Sequence, residues 1–182
     1  MLFEDRFEAG QVLARKLSHY HDQPDVVVLA LPRGGVPVAF EVARALGAPL
    51  DVFLVRKLGV PGQPELAMGA VASGGVQVLH DEVVDAMGIP EDVIEHVAKL
   101  ERAELQRQQS LYRDGWAPPN LAGRTVILVD DGLATGSTMR AAVRALRAQR
   151  PKRIVVAVPV GSEDTCDEFS REVDEGDLCG AS

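Results

Sequence analysis

The sequence predicts an α/β fold, a three-layer sandwich on a mostly parallel sheet. Three observations predict it. Residues 26–31 and 126–129 are short, wholly apolar and rich in β-branched side chains, as strands buried on both faces are. Each run is followed by a loop of small residues and then by apolar residues at helical spacing, the order that a right-handed crossover requires. The chain has 182 residues, enough for one domain with a proper core and short for two.

The elements follow in order. Residues 6–19 place Phe7, Val12, Leu13 and Leu17 among charges, an amphipathic helix. The strand at 26–31 breaks at Pro32-Arg33-Gly34-Gly35. From 36 to 46, Val38, Val42, Ala45 and Leu46 share a helical face that Gly47 terminates. Residues 52–55 read as a second strand ending in Arg56-Lys57, and 58–66 as a Gly- and Pro-rich loop. Residues 67–71 and 76–79 form a hairpin about Ser73-Gly74-Gly75. Pro90 opens a long helix carried by Val93, Ile94, Val97, Leu100 and Ala103 to about Arg113, with a solvated charged face. Trp116 begins a connector that runs to Gly123. The strand at 126–129 then leads into a helix with Met139, Ala142, Val143 and Leu146, and residues 153–160 form the last strand. Residues 161–182 show a small, polar tail without apolar periodicity, which reads as a truncated or altered terminus beside a core at 1–160.

Composition bounds the function. A net charge of −8 argues against a nucleic-acid footprint, because phosphate backbones select basic surfaces, yet it leaves room for small anions at a local Arg/Lys cluster. The opening Met-Leu-Phe-Glu-Asp-Arg does not read as a signal peptide, and no apolar run approaches a membrane span. The cytoplasm is therefore the expected location. Cys166 and Cys179 lack metal-like spacing and read as stray thiols.

The chemistry concentrates at 126–138, Val-Ile-Leu-Val-Asp-Asp-Gly-Leu-Ala-Thr-Gly-Ser-Thr. Asp130 and Asp131 would sit at the carboxyl end of a buried strand, where open α/β sheets bind ligands. Thr135, Gly136, Ser137 and Thr138 would offer hydroxyls and backbone N–H groups at a helix N-terminus, which favours a phosphate. A strand ending in two acids also occurs in P-loop ATPases, but no Gly-x-x-x-x-Gly-Lys-Ser/Thr accompanies this one. In the loop at 31–37 the paired glycines Gly34 and Gly35 allow unusual backbone geometry and close approach of a ligand. Arg33 can grip phosphate oxygens through its planar fork.

The stretch resembles the phosphoribosyl-diphosphate motif of type I phosphoribosyltransferases: four hydrophobic residues, two acids, a variable triplet, then Thr-Gly-x-Thr. The chain looks most like an uncharacterised subgroup with an Arg-Gly-Gly diphosphate loop. The resemblance implies a five-strand core sheet plus the hairpin. It implies that Asp130 and Asp131 hold the ribose 2′- and 3′-hydroxyls, and that Ala134, Thr135, Gly136, Ser137 and Thr138 wrap the 5′-phosphate. Arg33, Gly34 and Gly35 would bind diphosphate, with positive charge added by Arg56 or Lys57, which the sequence leaves undistinguished. Residues 59–65 would contribute to a mobile cover of the kind family members close over substrate.

The implied activity is transfer of phosphoribosyl from 5-phosphoribosyl 1-diphosphate to a nucleobase or related small-molecule acceptor, a glycosyltransferase reaction of nucleotide metabolism. Magnesium is the implied cofactor, held through the substrate, with Asp130 or Asp131 as the candidate protein ligand and no direct ligand assigned. Binding to nucleic acid or membrane is not expected, whereas a homodimer is in keeping with the family. Two other readings stay open: a non-catalytic sensor of phosphoribosyl diphosphate, and a degenerate module that once adjoined another domain. The acceptor is not legible.

Overall fold

The computed structural model describes residues 4–113, 117–133 and 136–174. In chain order the described elements are α1 (Arg6–Lys16), a 3-10 turn (Ser18–Tyr20), β1 (Val26–Ala30), α2 (Gly35–Leu46), β2 (Leu50–Val52), β3 (Val55–Val60), β4 (Gln63–Ala72), β5 (Val76–Leu79), α3 (Asp81–Met87), α4 (Glu91–Arg113), β6 (Thr125–Val129), α5 (Ser137–Arg147), β7 (Arg153–Ala157) and α6 (Glu163–Glu172). The α/β class is as the sequence predicts. The chain divides into two compact units, one of Met1–Phe53, Asn120–Gly136 and Arg150–Ser182, the other of Leu54–Pro119 and Ser137–Gln149.

The first unit holds a parallel sheet in the order β2-β1-β6-β7. Its register sets Val52, Ala30, Val129 and Ala157 level at the carboxyl edge. The alternate residues Val26, Val28, Ala30, Ile127, Val129, Val155 and Ala157 pack with Leu13 and Leu17 of the first helical segment and with Val38, Val42 and Leu46 of α2. Each large apolar side chain buried this way stabilises the fold by about 1.5–3 kcal/mol relative to exposure. A Cβ on Gly10 would lie 2.7 Å from Glu41 Cβ and 2.9 Å from the Val38 carbonyl, so glycine there lets α1 close tightly on α2. In the sheet β1 is flanked by β2 on one side and by β6, then β7, on the other. The winding therefore reverses between β1 and β6, and ligands of open α/β sheets bind at such a reversal.

The second unit holds an antiparallel sheet, β3-β4-β5. Leu54, Leu58, Val60, Met68 and Val71 pack there with Ile94, Ala98 and Leu105 of α4. α5 belongs to this unit as well.

Several expectations need correction. Among the described residues the parallel sheet has four strands, not five. The single strand expected at 52–55 divides, because the backbone changes hydrogen-bond partner: Phe53 N–H donates to the Ala30 carbonyl at 2.9 Å, and Leu54 N–H to Ser73 Oγ at 2.9 Å. β2 thus joins the parallel sheet and β3 the antiparallel one. Arg56 and Lys57 accordingly lie within β3, not at the carboxyl edge of a parallel strand. The loop expected at 58–66 is a second hairpin, in which Val60 pairs with Gln63; Pro61-Gly62 form the turn, with Gly62 at φ 81°, while Gly59 and Pro64 lie within the strands, where the register shifts on both sides of Gly59.

At 163–172 stands α6, where no periodicity was read; Ser162 caps it by accepting from Thr165 N–H at 3.3 Å, and Phe169 is buried. Its apolar signal is confined to that one large side chain. Cys166 on this helix is disulfide-bonded rather than a stray thiol, a pairing that sequence spacing does not reveal. Trp116 lies outside the described residues. No helix among the described residues is long and apolar enough to cross a membrane.

Candidate functional site

The carboxyl ends of β1 and β6 are neighbours, so the loops leaving them meet. Leu31 N–H donates to the Val129 carbonyl at 2.9 Å, carrying the ladder one step past β1, and Gly35 N–H then closes a turn on the Leu31 carbonyl at 3.0 Å. The Pro32–Arg33 peptide is cis. This turn seats its glycines directly on the acid pair. A Cβ on Gly34 would collide with the Asp131 carboxylate, and one on Gly35 would fall 2.6 Å from the Val129 carbonyl and 3.1 Å from Asp130 Cα. Gly34 has φ −60° and ψ −33°, a conformation open to any residue. Contrary to the sequence-based expectation, the glycines are required by lack of space and not by unusual dihedrals.

The two acids differ. Asp130 is half-buried and accepts the Asp131 N–H at 2.8 Å. Burial pushes its carboxyl from the usual 3.8 up to about 7; the Asp131 carboxyl adds to that rise, and the accepted N–H opposes it. Asp131, its side chain 37% exposed, is held by Arg6, whose Nη2 and Nε donate to Oδ2 at 3.1 and 3.3 Å. The sequence reading did not single out Arg6. One signal was present: Asp5-Arg6-Phe7-Glu8 has the form of a capping box, and Glu8 N–H does donate to Asp5 Oδ1 at 2.9 Å while Glu4 N–H donates to Glu8 Oε2 at 2.6 Å.

Of the phosphate-loop residues, Gly136 belongs to this unit. It has φ 74°, in the left-handed region, and a Cβ there would lie 2.8 Å from Phe169 and 3.0 Å from Thr165. Helix α6 therefore packs against Gly136. Ala134 and Thr135 lie outside the described residues.

The second unit carries the remaining sequence-chosen residues. Lys57 Nζ donates to Ser137 Oγ at 3.0 Å, at the first residue of α5. Arg56 Nε donates instead to Glu101 Oε2 of α4 at 2.7 Å, both side chains being partly buried. The structure thus separates the two cations that the sequence could not: Lys57 reaches the motif, and Arg56 is engaged by α4. Lys57, Arg56, Glu101 and Thr138 line a cleft of about 680 Å³ whose apolar wall includes Val60, Pro61, Pro64 and Val97. Glu101 was read as part of a solvated helix face, and its role depends on a contact 45 residues away in sequence.

A carboxylate pair with a glycine turn packed against it, at the reversal point of a parallel sheet, defines an α/β protein with a candidate ligand site at that edge. The chain belongs to the phosphoribosyl transferase family, whose domain model matches residues 4–175. It is 48% identical over 174 residues to a Mycobacterium tuberculosis protein provisionally named a phosphoribosyl transferase; the match takes in 96% of this chain and 39% of that protein's length. It is 33% identical to the bifunctional protein PyrR of a Roseiflexus species, over 66% of this chain and 62% of that one. The crystal structure of TT1426 from Thermus thermophilus superposes with a TM-score of 0.86 at 43% identity, covering 96% of this chain and 83% of that one. A Staphylococcus aureus hypoxanthine phosphoribosyltransferase shares the fold, with a TM-score of 0.51 at 12% identity over 89% of this chain and 66% of its own.

Proposed function

We propose that the chain is a phosphoribosyltransferase that uses 5-phosphoribosyl 1-diphosphate and magnesium, transferring phosphoribosyl to a nucleobase or related small-molecule acceptor. The observation that supports this reading is the packing of Gly34 on Asp131, since the turn proposed to bind diphosphate then adjoins the acids proposed to hold the ribose.

In the reaction, a nucleophilic atom of the acceptor bonds to ribose C1 as the C1–oxygen bond to diphosphate breaks, and the bonding pair leaves with diphosphate. Positive charge builds on the ribose, much as in glycoside cleavage. Asp130 and Asp131 accept hydrogen bonds from the ribose hydroxyls and face that charge. The residues of 134–138 hold the 5′-phosphate through backbone N–H groups and the hydroxyls of Thr135, Ser137 and Thr138. Arg33 and the backbone of Gly34 and Gly35 stabilise the leaving diphosphate. Lys57 donates to Ser137 of the 5′-phosphate loop, so its charge is assigned to that phosphate, while Arg56 pairs with Glu101.

The residues fit magnesium brought in with the diphosphate. Two adjacent carboxylates are hard oxygen donors, and the raised Asp130 carboxyl gains from a nearby cation. Among the described residues no group of three His, Cys, Asp or Glu could hold the ion alone, so Asp130 or Asp131 would supplement ligands from the substrate. When bound, magnesium neutralises charge on the diphosphate oxygens.

The test is diphosphate release from phosphoribosyl diphosphate across a panel of purines, pyrimidines and other small acceptors, with and without magnesium. Magnesium-dependent release with at least one acceptor supports the enzyme. Tight binding with no release across the panel would make the chain a sensor instead.

A further inference from the structure

We infer that Arg6 belongs to the sugar-phosphate site as a positioning residue, holding Asp131 from α1 so that this carboxylate faces the ribose. The inference rests on the function proposed above and adds a residue outside both anion loops.

The geometry comes first. Two guanidinium nitrogens of Arg6 converge on one oxygen, Asp131 Oδ2, at 3.1 and 3.3 Å. A carboxylate has about four acceptor positions, so this leaves capacity for ribose hydroxyls. Gly34 packs against the same carboxylate, and a Cβ there would fall nearest Oδ2, the oxygen that Arg6 holds. Arg6 and Gly34 together fix where Asp131 points.

The backbone that carries Arg6 is set by the helix start. It is the first residue of α1, directly after the Asp5 cap, and the Asp5–Glu8 and Glu8–Glu4 hydrogen bonds set the start of that helix. Gly10 then locks α1 onto α2, the helix that opens immediately after the diphosphate turn.

Helix energetics do not account for the residue. A cation in the first turn opposes the helix dipole, which favours acids there. Nor does the ion pair account for stability: the two side chains are 60% and 37% exposed, and exposed pairs contribute little. What the contact does is direct a carboxylate that stands at the carboxyl edge between β1 and β6.

The test is calorimetric titration of the whole chain and its variants with phosphoribosyl diphosphate plus magnesium, using inorganic diphosphate as a second probe. Arg6→Ala is expected to weaken sugar-phosphate binding about tenfold, within the range measured for coupled charged neighbours. Arg6→Lys should restore part of the loss, a point charge without the fork. Because Arg6 acts through a ribose-facing group, inorganic diphosphate affinity should change less than about twofold, and melting should stay within about 2 °C. In an Asp131→Asn background, Arg6→Ala should add less than about twofold, the sign of a shared pathway.

Unchanged or tighter sugar-phosphate binding by Arg6→Ala would overturn the inference and leave the proposed function standing. Loss of diphosphate binding together with a lowered melting temperature would overturn it too, making Arg6 a structural residue. Failure of the unaltered chain to bind phosphoribosyl diphosphate would take down the functional reading and this inference with it.

Discussion

The two units carry their charged groups by different means. In the first, the backbone brings the groups together, and one long side chain, Arg6, holds Asp131. The acid pair follows β6, the glycine turn follows β1, and neighbouring parallel strands bring the two together. In the second, long side chains do it: Lys57 and Arg56 leave β3 for different partners, Ser137 at the start of α5 and Glu101 on α4. The first arrangement tolerates almost no added atom, whereas the second depends on which of two adjacent cations meets which partner.

The largest expected effect is on the backbone-built side. Replacing both acids, Asp130→Asn with Asp131→Asn, should lower turnover by about a thousandfold or more while circular dichroism stays native, because electrostatic groups at the reacting centre are worth that much. Undiminished diphosphate release would remove the acids from the mechanism. Gly34→Val comes next. The added side chain must displace the Asp131 carboxylate, so sugar-phosphate affinity should fall about a hundredfold at a stability cost of about 1–3 kcal/mol. Binding as tight as before would mean that the turn has slack which the structure does not show.

A pair of variants sharpens the other side of the comparison. Lys57→Ala should weaken sugar-phosphate binding about tenfold with little change in melting, as loss of one partly exposed phosphate partner does. Arg56→Ala should do the reverse, costing about 1–3 kcal/mol of stability because Glu101 is left partly buried without its partner. If the two variants exchanged effects, the assignment of Lys57 to the phosphate site would be wrong.

The smallest effect is a pH signature. The Asp130 carboxyl in the folded chain titrates near 7, above its usual 3.8. A raised carboxyl favours the folded state below its ordinary range, and that contribution is lost as pH rises through about 7. Asp130→Asn should therefore raise the melting temperature by a few degrees, roughly 2–4 °C, at pH 8 and not at pH 3. Binding should show the opposite slope, strengthening as pH rises through about 7 in the unaltered chain, since hydroxyls and magnesium prefer the ionised form. A flat profile would mean that Asp130 is already ionised or does not contact the ligand.

How much of this was legible in the sequence follows the same division. Parallel strands buried on both faces are continuous apolar runs, so β1 and β6 stood out, and with them Arg33, Gly34, Gly35, Asp130 and Asp131. The carboxyl-edge rule put the acids where such sheets bind ligands, and the family resemblance put the glycine turn on the same ligand. Three things were hidden. The division between β2 and β3 turns on a change of hydrogen-bond partner between Phe53 and Leu54, which leaves no mark in side-chain pattern. α6 has too little apolar periodicity to register, although its Phe169 packs against Gly136. The pairs Arg6–Asp131 and Arg56–Glu101 span 125 and 45 residues, and only the fold brings them together. Residues beside a motif were readable, and residues that reach it from another element were not.

The central claim is that the acid pair, the glycine turn and the phosphate loop serve one ligand. Calorimetric titration with phosphoribosyl diphosphate, with and without magnesium and against ribose 5-phosphate, tests it most directly. The account predicts magnesium-dependent binding that prefers the diphosphate by about tenfold or more, since only that ligand engages both anion loops. Equal affinity for the two sugar phosphates, or binding of neither by the folded chain, would contradict it.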